Sequence, residues 1–84
     1  MTTRDDIEAW LDDAPAGARW MMVMCDTFSH EDYPIYVDNA EQFWQRHDAA
    51  TQNMGRLMES YDLHDSIPEQ LCSARVMRLP PRPK

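Results

Sequence analysis

The chain has 84 residues and a mass of 9.9 kDa, which fits one domain and excludes a two-domain enzyme, a doubly wound nucleotide fold or a barrel. Apolar residues make up 43% of it, the ordinary globular share, so wholesale disorder is not expected. The formal charge is −7, and residues 1–74 hold all 15 acidic residues but only four of the eight basic ones. Such a charge repels nucleic acids and anionic membranes, which leaves a basic partner, a cation or solubility as the role of the acids.

The sequence contains no recognisable targeting segment. Its start lacks a basic stretch followed by an apolar one, and the longest apolar run, from Trp20 to Cys25, has six residues where a membrane span needs roughly 20. Cys25 and Cys72 lack CxxC spacing, which favours free thiols in a reducing compartment. We therefore expect a cytoplasmic protein that contacts no membrane and binds no nucleic acid directly.

The first predicted element is a helix over residues 4–13. Apolar side chains recur there at helical spacing, with acidic residues in the first turn. Thr3 and Asp6 have the spacing of a capping box at its start. Pro15 and Gly17 are expected to end it.

Two strands are predicted next. Residues 19–25 are apolar on both faces, which is typical of a central strand that is covered on both sides. Residues 33–37 are rich in aromatic and β-branched side chains. Because proline donates no ladder hydrogen bond, Pro34 indicates an edge strand or marks the first position of this strand. We expect the two strands to pair as an antiparallel hairpin.

One or two helices are predicted over residues 40–62. Asn39 is a good N-cap, and apolar residues recur after it at helical spacing for five turns. Gly55 weakens the middle of this segment. A break into two helices near residues 51–54 is therefore the alternative to one long helix.

A last helix and a proline-rich tail follow. Ser66 and Glu69 have capping-box spacing at the start of a helix over residues 66–74. Residues 76–79 have the character of a short third strand. Residues 80–84 are expected to form an extended, flexible tail.

The predicted architecture is a single α+β domain over residues 1–79. It consists of an N-terminal helix, an antiparallel β-hairpin, one long or two shorter helices and a C-terminal helix. We expect the helices to pack on the sheet through Trp10, Phe43, Trp44 and Met58. Because one helix layer leaves the second face of an apolar strand uncovered, a structural homodimer is an alternative role for the chain.

Residues around the end of the first strand raise the alternative of an enzyme. Cys25 ends this strand, and His30, Glu31 and Asp32 follow it, which is a set suited to a small metal- or thiol-dependent hydrolase. However, neither a glycine-rich nucleophile elbow nor a phosphate-cradling loop accompanies them in the sequence. We therefore assign no catalytic residue.

All three histidines are followed by an acidic residue, a pattern that suggests a metal site. Dipeptides alone do not hold a metal, because its ligands must converge. On one continuous helix His47 and His64 lie about 25 Å apart, too far for one ion. We predict no bound metal and no cofactor.

The middle of the chain resembles a group of small uncharacterised proteins found in bacteria and their phages. The likeness covers residues 20–63. It rests on the strings Cys25-Asp26-Thr27-Phe28, Glu31-Asp32-Tyr33-Pro34-Ile35-Tyr36-Val37, Asn53-Met54 and Met58-Glu59-Ser60-Tyr61-Asp62-Leu63. The resemblance implies no activity. It implies an accessory or mobile-element context, which favours a binding role.

The acidic residues are the main candidates for that role. Gathered on one surface, they would imitate phosphates and occupy the basic groove of another protein, although a solvated face that aids solubility is the plain alternative. We predict a non-enzymatic acidic interaction protein, an adaptor or inhibitor of a host or phage protein with a basic surface. The candidate interaction residues are Asp5, Glu8, Asp12, Asp26, Glu31, Asp32, Tyr33 and Tyr36.

Overall fold

The structure is a computed structural model that describes residues 2–82. Within this range the chain forms three helices and three strands. Their order is α1 (Arg4–Asp12), β1 (Trp20–Asp26), β2 (Asp32–Val37), α2 (Ala40–Gln52), β3 (Gly55–Asp62) and α3 (Ile67–Leu71). The strands form one antiparallel sheet in the order β2-β1-β3. The predicted α+β class is confirmed.

The central strand β1 is buried on both faces. Met22 packs with Phe43 of α2 in an apolar cluster on one face of the sheet. Met21 packs with Ile7 of α1 in a second cluster on the opposite face. The prediction of a central strand covered on both sides is confirmed, and a single chain supplies both covering layers. Burial of each such side chain stabilises the fold by roughly 1.5–3 kcal/mol.

The hairpin and the first helix follow the sequence closely. β1 and β2 pair antiparallel, with Trp20 opposite Val37, and β2 with its Pro34 is an edge strand. The capping box of α1 is present, because Thr3 and Asp6 exchange hydrogen bonds between side chain and backbone N–H at 3.2 and 3.0 Å. These predictions are confirmed.

The prediction of helix over residues 55–62 is wrong, because this segment is strand β3. A bulge in β3 explains the error. Met58 has no residue opposite it in β1, so the alternation of the strand shifts by one residue there. Leu57 therefore faces the α2 side, while Met58 and Tyr61 both face the α1 side. This spacing imitates the period of a helix.

The turn before β3 lies at the predicted break near residues 51–54. Asn39 caps the start of α2, accepting the Gln42 N–H at 2.8 Å, and α2 ends at Gln52. Met54 then adopts a φ of 68°. At Gly55 a Cβ atom would lie 2.6 Å from the carbonyl oxygen of Ala50, so only glycine fits this close approach.

Three of the four residues predicted to pack helices on the sheet do so. Phe43 and Trp44 of α2 pack on one face, and Trp10 of α1 packs on the other. Met58 also lies in the second cluster, but it belongs to the sheet.

The C-terminal segment covers the outer edge of β3. The Ser60 N–H donates to the Val76 carbonyl at 3.0 Å, and the Arg78 N–H donates to the Ser60 carbonyl at 3.1 Å. The predicted third strand is thus reduced to one parallel bridge, between Ser60 and Met77. This edge of β3 is thus paired at Ser60.

Helix α3 is shorter than the predicted helix over residues 66–74. Among the described residues, the side chain of Ser66 caps no N–H group, so the predicted capping box is wrong. Buried Gln70 holds α3 instead. Its side chain accepts the Asp62 N–H at 2.9 Å and donates to the Asp62 carbonyl at 2.8 Å.

Residues 80–82 extend along α2 and contact it. The indole N–H of Trp44 donates to the carbonyl of buried Pro80 at 3.1 Å. The Arg82 guanidinium lies 4.1 Å from the centroid of the Trp44 ring and donates twice to the Asp48 carboxylate, at 3.2 Å each. The sequence analysis did not foresee these contacts. The rest of the predicted flexible tail, residues 83–84, lies outside the described range.

Candidate functional site

Helix α1 carries its acidic residues on two opposite flanks. Its core stripe contains Ile7 and Leu11, one turn apart. Glu8 and Asp12, also one turn apart, lie on the flank that borders α3. Asp6 lies on the other flank, which borders the hairpin loop between β1 and β2. The helix therefore separates two depressions, each with its own acidic residues.

The first depression lies between the start of α1 and the hairpin loop. It has a volume of about 420 Å³, and we call it the Trp10 cleft. Its lining combines one aromatic ring, one imidazole, one hydroxyl and three carboxylates. These belong to Trp10, His30, Thr2, Asp6, Glu31 and Asp32.

The carboxylates of the Trp10 cleft are held in different ways. The Thr2 hydroxyl donates to the Asp32 carboxylate. One oxygen of Asp6 accepts the Thr3 N–H at 3.0 Å as part of the helix cap. Glu31 is exposed at the rim. Asp32 and Asp6 are thus held by hydrogen bonds to neighbouring residues.

Asp26 organises the hairpin loop that carries Glu31. Its carboxylate accepts the N–H groups of Phe28 and Ser29 at 2.8 and 3.3 Å, and its carbonyl accepts the His30 N–H at 2.7 Å. His30 adopts a φ of 61° to close the turn. The structure thus gives Asp26 a positioning role, behind the surface on which the sequence analysis placed it.

The two candidate tyrosines differ in their surroundings. The Tyr36 hydroxyl donates to the backbone carbonyl of Trp10 beneath α1. Burial raises the pKa of Tyr36, and the nearby Asp13 carboxylate raises it further. Tyr36 therefore anchors α1 on the sheet. Tyr33 is 36% exposed on edge strand β2, and Asp5 is exposed on the same flank of α1 as Glu8.

Phe28 was missed by the sequence analysis. It is 80% exposed at the tip of the hairpin loop. Thr27 joins this loop to the turn before β3, because its N–H and hydroxyl both donate to the Met54 carbonyl, at 2.8 and 2.6 Å. An aromatic residue inside the polar string Asp26 to Asp32 is the sequence signal that would have found it.

The second depression is a groove of about 340 Å³ between α1 and α3, which we call the α1–α3 groove. Its apolar lining comes from both helices, and two carboxylates stand beside it. The lining residues are Glu8, Leu11, Asp12, Ile67, Pro68 and Leu71. Glu8 and Asp12, two of the candidate residues, thus share this groove.

The surroundings of Cys25, the thiol of the alternative hydrolase, disfavour its thiolate form. Burial raises the pKa of the Cys25 thiol, and the carboxylates of Asp32 and Asp26 raise it further, although the Arg56 guanidinium opposes this. A protonated thiol is a poor nucleophile near neutral pH. In residues 2–82, no three His, Cys, Asp or Glu side chains are placed to share a metal ion.

The three His–acid pairs lie in different parts of the fold: the hairpin loop, α2 and the segment after β3. His47 Nδ1 lies 2.9 Å from the carboxylate of Asp48, which also receives Arg82. The hydrogen bonds from Arg82 and His47 lower the pKa of Asp48. His64 is exposed beyond the end of β3. The argument that a continuous helix separates His47 from His64 is wrong, since β3 lies between them.

Comparison of the chain with family models, curated proteins and solved structures found no match. The resemblance to small bacterial and phage proteins therefore stays a prediction. No helix of the described range is long and apolar enough to cross a membrane. The fold and its two depressions define a small α+β domain with an acidic helix set between two candidate contact sites.

Proposed function

We propose that the protein is a non-enzymatic interaction protein that takes a basic side chain of a partner protein into the Trp10 cleft. The observation that supports the proposal is the meeting of three carboxylates around one indole. Asp6 and Trp10 come from α1, Glu31 comes from the hairpin loop, and Asp32 is the first residue of β2. Residues that are 21 to 26 positions apart in the sequence thus supply one negative depression.

A guanidinium or ammonium group fits this chemistry. Carboxylates accept short, charge-assisted hydrogen bonds from such groups. The face of an indole attracts a cation by roughly 0.5–2 kcal/mol, with larger values where water is excluded. The net charge of −7 adds long-range attraction, which mainly raises the rate of association with a basic surface.

The proposed partner is a host or phage protein, and the chain acts as its adaptor or inhibitor in the cytoplasm. The same negative charge disfavours nucleic acids and membranes as direct partners. The raised pKa of Cys25 weakens the case for the thiol hydrolase. The homodimer alternative was based on an uncovered face of β1. Helices of the same chain cover both faces of β1, so this argument no longer supports a homodimer.

Affinity capture from a lysate of the native host, read by mass spectrometry, tests this proposal. The baits are the wild-type chain, a Glu31→Lys/Asp32→Lys variant and a matched Asp38→Lys/Glu41→Lys variant. Asp38, just before the N-cap of α2, and Glu41, in its first turn, are both exposed, and their reversal changes the net charge equally. We expect a basic partner that the wild type and the matched variant retain and the cleft variant loses.

Association rates of the purified partner complete the test. Reversal at the cleft should slow association several-fold at low salt and matter less as salt screens the charges, with a Debye length of about 8 Å at 0.15 M. Thermal unfolding of each variant controls for damage to the fold. Equal capture and equal rates for all three baits would show that the cleft acids are only a solvated surface.

A further inference from the structure

We propose that the α1–α3 groove binds an amphipathic basic helix of the partner protein. The inference rests on the proposed function, since it names the class of segment that a basic partner presents beside the Trp10 cleft. The groove supplies two features that such a helix requires. These are an apolar floor between two helices and a pair of carboxylates along one wall.

The apolar floor is fixed in place by the core. Leu11 and Leu71 belong to the same cluster as buried Ile7, so they hold the floor while part of each side chain remains accessible. Ile67 and exposed Pro68 form the α3 wall. At about 340 Å³ the groove is near the lower limit of ligand pockets, which span about 300–1,000 Å³. It accepts a few apolar side chains of a helix laid alongside α1.

The carboxylate wall matches the repeat of a helix. Glu8 and Asp12 are exposed and one turn apart on α1, which puts their Cβ atoms about 5–6 Å from each other. Basic side chains four residues apart on a partner helix have the same spacing. Two ion pairs therefore form with one register of the partner.

A positive charge is also favourable at the C-terminal end of α1. Asp12 is the last residue of α1, Asp13 follows it as the C-cap, and the last turn contains no basic residue. Negative charge at a helix C-terminus opposes the helix dipole, and positive charge there is favourable. A basic side chain beside Asp12 would relieve this repulsion. Asp12 therefore does not stabilise α1 itself, whereas it would contribute to the binding of a basic partner.

A second copy of this chain is a poor occupant. The three arginines of the described C-terminal segment, residues 75–82, already have partners within the chain, and a second copy would also bring the same net charge of −7. Arg75 donates to the Met58 carbonyl at 3.2 Å, and Arg78 pairs with Asp65 at 3.1 Å. Arg82 pairs with Asp48 on α2. The occupant we propose is therefore a different protein.

The test uses three synthetic peptides of about 15 residues, which is near the minimum for helicity in water. The first places Leu on one helical face and Lys at i, i+4 beside it. The second scrambles the same residues, and the third replaces each Lys with Glu. Each peptide is titrated into the 15N-labelled full chain at low salt, and amide shifts are followed by NMR.

We expect the first peptide alone to give saturable shifts grouped at Leu11, Ile67 and Leu71. Ile67→Ser and Glu8→Lys should each weaken its binding several-fold. Glu41→Lys, which changes the net charge as Glu8→Lys does but lies on α2, should leave binding nearly unchanged. Equally tight binding of the scrambled peptide, or no shift with any peptide, overturns the inference.

The outcome separates this inference from the proposed function. If the shifts gather only at Trp10, Glu31 and Asp32, the inference about the groove is wrong and the proposal for the Trp10 cleft is supported. If shifts appear at the groove but reversal of Glu31 and Asp32 leaves capture of the partner unchanged, the proposal for the Trp10 cleft is wrong and the partner binds at the groove. A rise in molecular mass of the free chain with concentration would point to a second copy and overturn the choice of occupant.

Discussion

The guanidinium of Arg4, in the first turn of α1, donates a 2.8 Å hydrogen bond to the hydroxyl of Tyr61 in β3. Tyr61 in turn donates to Glu59 at 2.9 Å, and the other oxygen of Glu59 accepts the Val76 N–H at 2.8 Å. Arg4 also donates to the Ser73 carbonyl at 2.8 Å. Three segments that are distant in sequence are joined in this way. The network sets the position of α1, and α1 forms a wall of both depressions.

Loss of the Tyr61 hydroxyl should therefore destabilise the fold. Tyr61 is fully buried, and Tyr61→Phe would remove the bond to Arg4 and deprive Glu59 of a donor. We expect a loss of about 1–3 kcal/mol in the free energy of unfolding, measured by urea denaturation. Tyr33→Phe at the exposed sheet edge is the matched control and should change little. Equal stability of both variants would contradict a structural role for the network.

The Tyr61 hydroxyl should make the free energy of unfolding depend on pH in the alkaline range. Burial and the Glu59 carboxylate raise the pKa of Tyr61 above its ordinary value of 10. The folded state thus retains a proton that the unfolded chain releases, so stability is complete below pH 10 and falls as the pH rises further. Tyr61→Phe should flatten this fall.

Gly55 should tolerate no side chain. A Cβ atom there would lie 2.6 Å from the Ala50 carbonyl oxygen, which is backbone and cannot move aside without shifting α2 against β3. We expect Gly55→Ala to cost about 1–3 kcal/mol, as overpacking usually does. Gly17→Ala is the control, because an added Cβ there meets no atom of the described chain within 4 Å. Thermal unfolding that ranks Gly17→Ala as the more damaging would refute this reading of the turn.

The first half of the fold follows from local sequence, whereas β3 does not. The Thr3–Asp6 box and the two-faced apolar run of β1 are short-range patterns, and the structure keeps both. β3 is stabilised by its pairing with β1, which is a long-range contact. The bulge at Met58 gives the apolar residues of β3 a spacing that resembles the period of a helix. A local pattern cannot reveal a pairing partner that lies 29 to 42 residues away, as the partners of β1 in β3 do.

The candidate sites show the same limit. Spacing alone places Glu8 with Asp12, and Asp6 with Trp10, on separate stripes of α1. Which stripe meets α3 and which meets the hairpin loop depends on tertiary contacts, among them the Arg4 network that positions α1 and the two bonds from Gln70 to Asp62 that hold α3 beside β3. The sequence analysis therefore found acids of both depressions and treated them as one surface.

Arg82 should control the docking of residues 80–82 on α2. Its guanidinium stacks on Trp44 and pairs with Asp48, so Arg82→Met would remove both contacts with little change in side-chain length. We expect the amide 15N relaxation of residue 82 to show faster motion while the rest of the chain is unchanged; Pro80 and Pro81 have no amide proton to report. Arg46→Met, at an exposed position of α2, is the control and should leave the relaxation as in the wild type.

The docking of residues 80–82 on α2 should be lost at acidic pH. The bonds from Arg82 and His47 lower the pKa of Asp48 below its ordinary value of 3.8. A lowered pKa means that the docked state persists above 3.8 and is lost only as the pH falls through the lowered value. Trp44 fluorescence followed through an acid titration should change there, and Asp48→Asn should abolish the transition. A transition that survives this substitution would assign it to another group.

The Trp10 cleft should bind a free arginine derivative and reject its neutral analogue. N-acetyl-arginine amide has the guanidinium that the carboxylates and the indole attract, whereas the citrulline derivative has nearly the same shape without the charge. We expect the indole N–H resonance of Trp10 to shift saturably with the arginine compound and to stay in place with citrulline. Glu31→Gln with Asp32→Asn should weaken the arginine effect several-fold, and high salt should do the same. Equal shifts with both compounds would mean that the cleft recognises shape without charge, and the proposed basic partner would lose its structural basis.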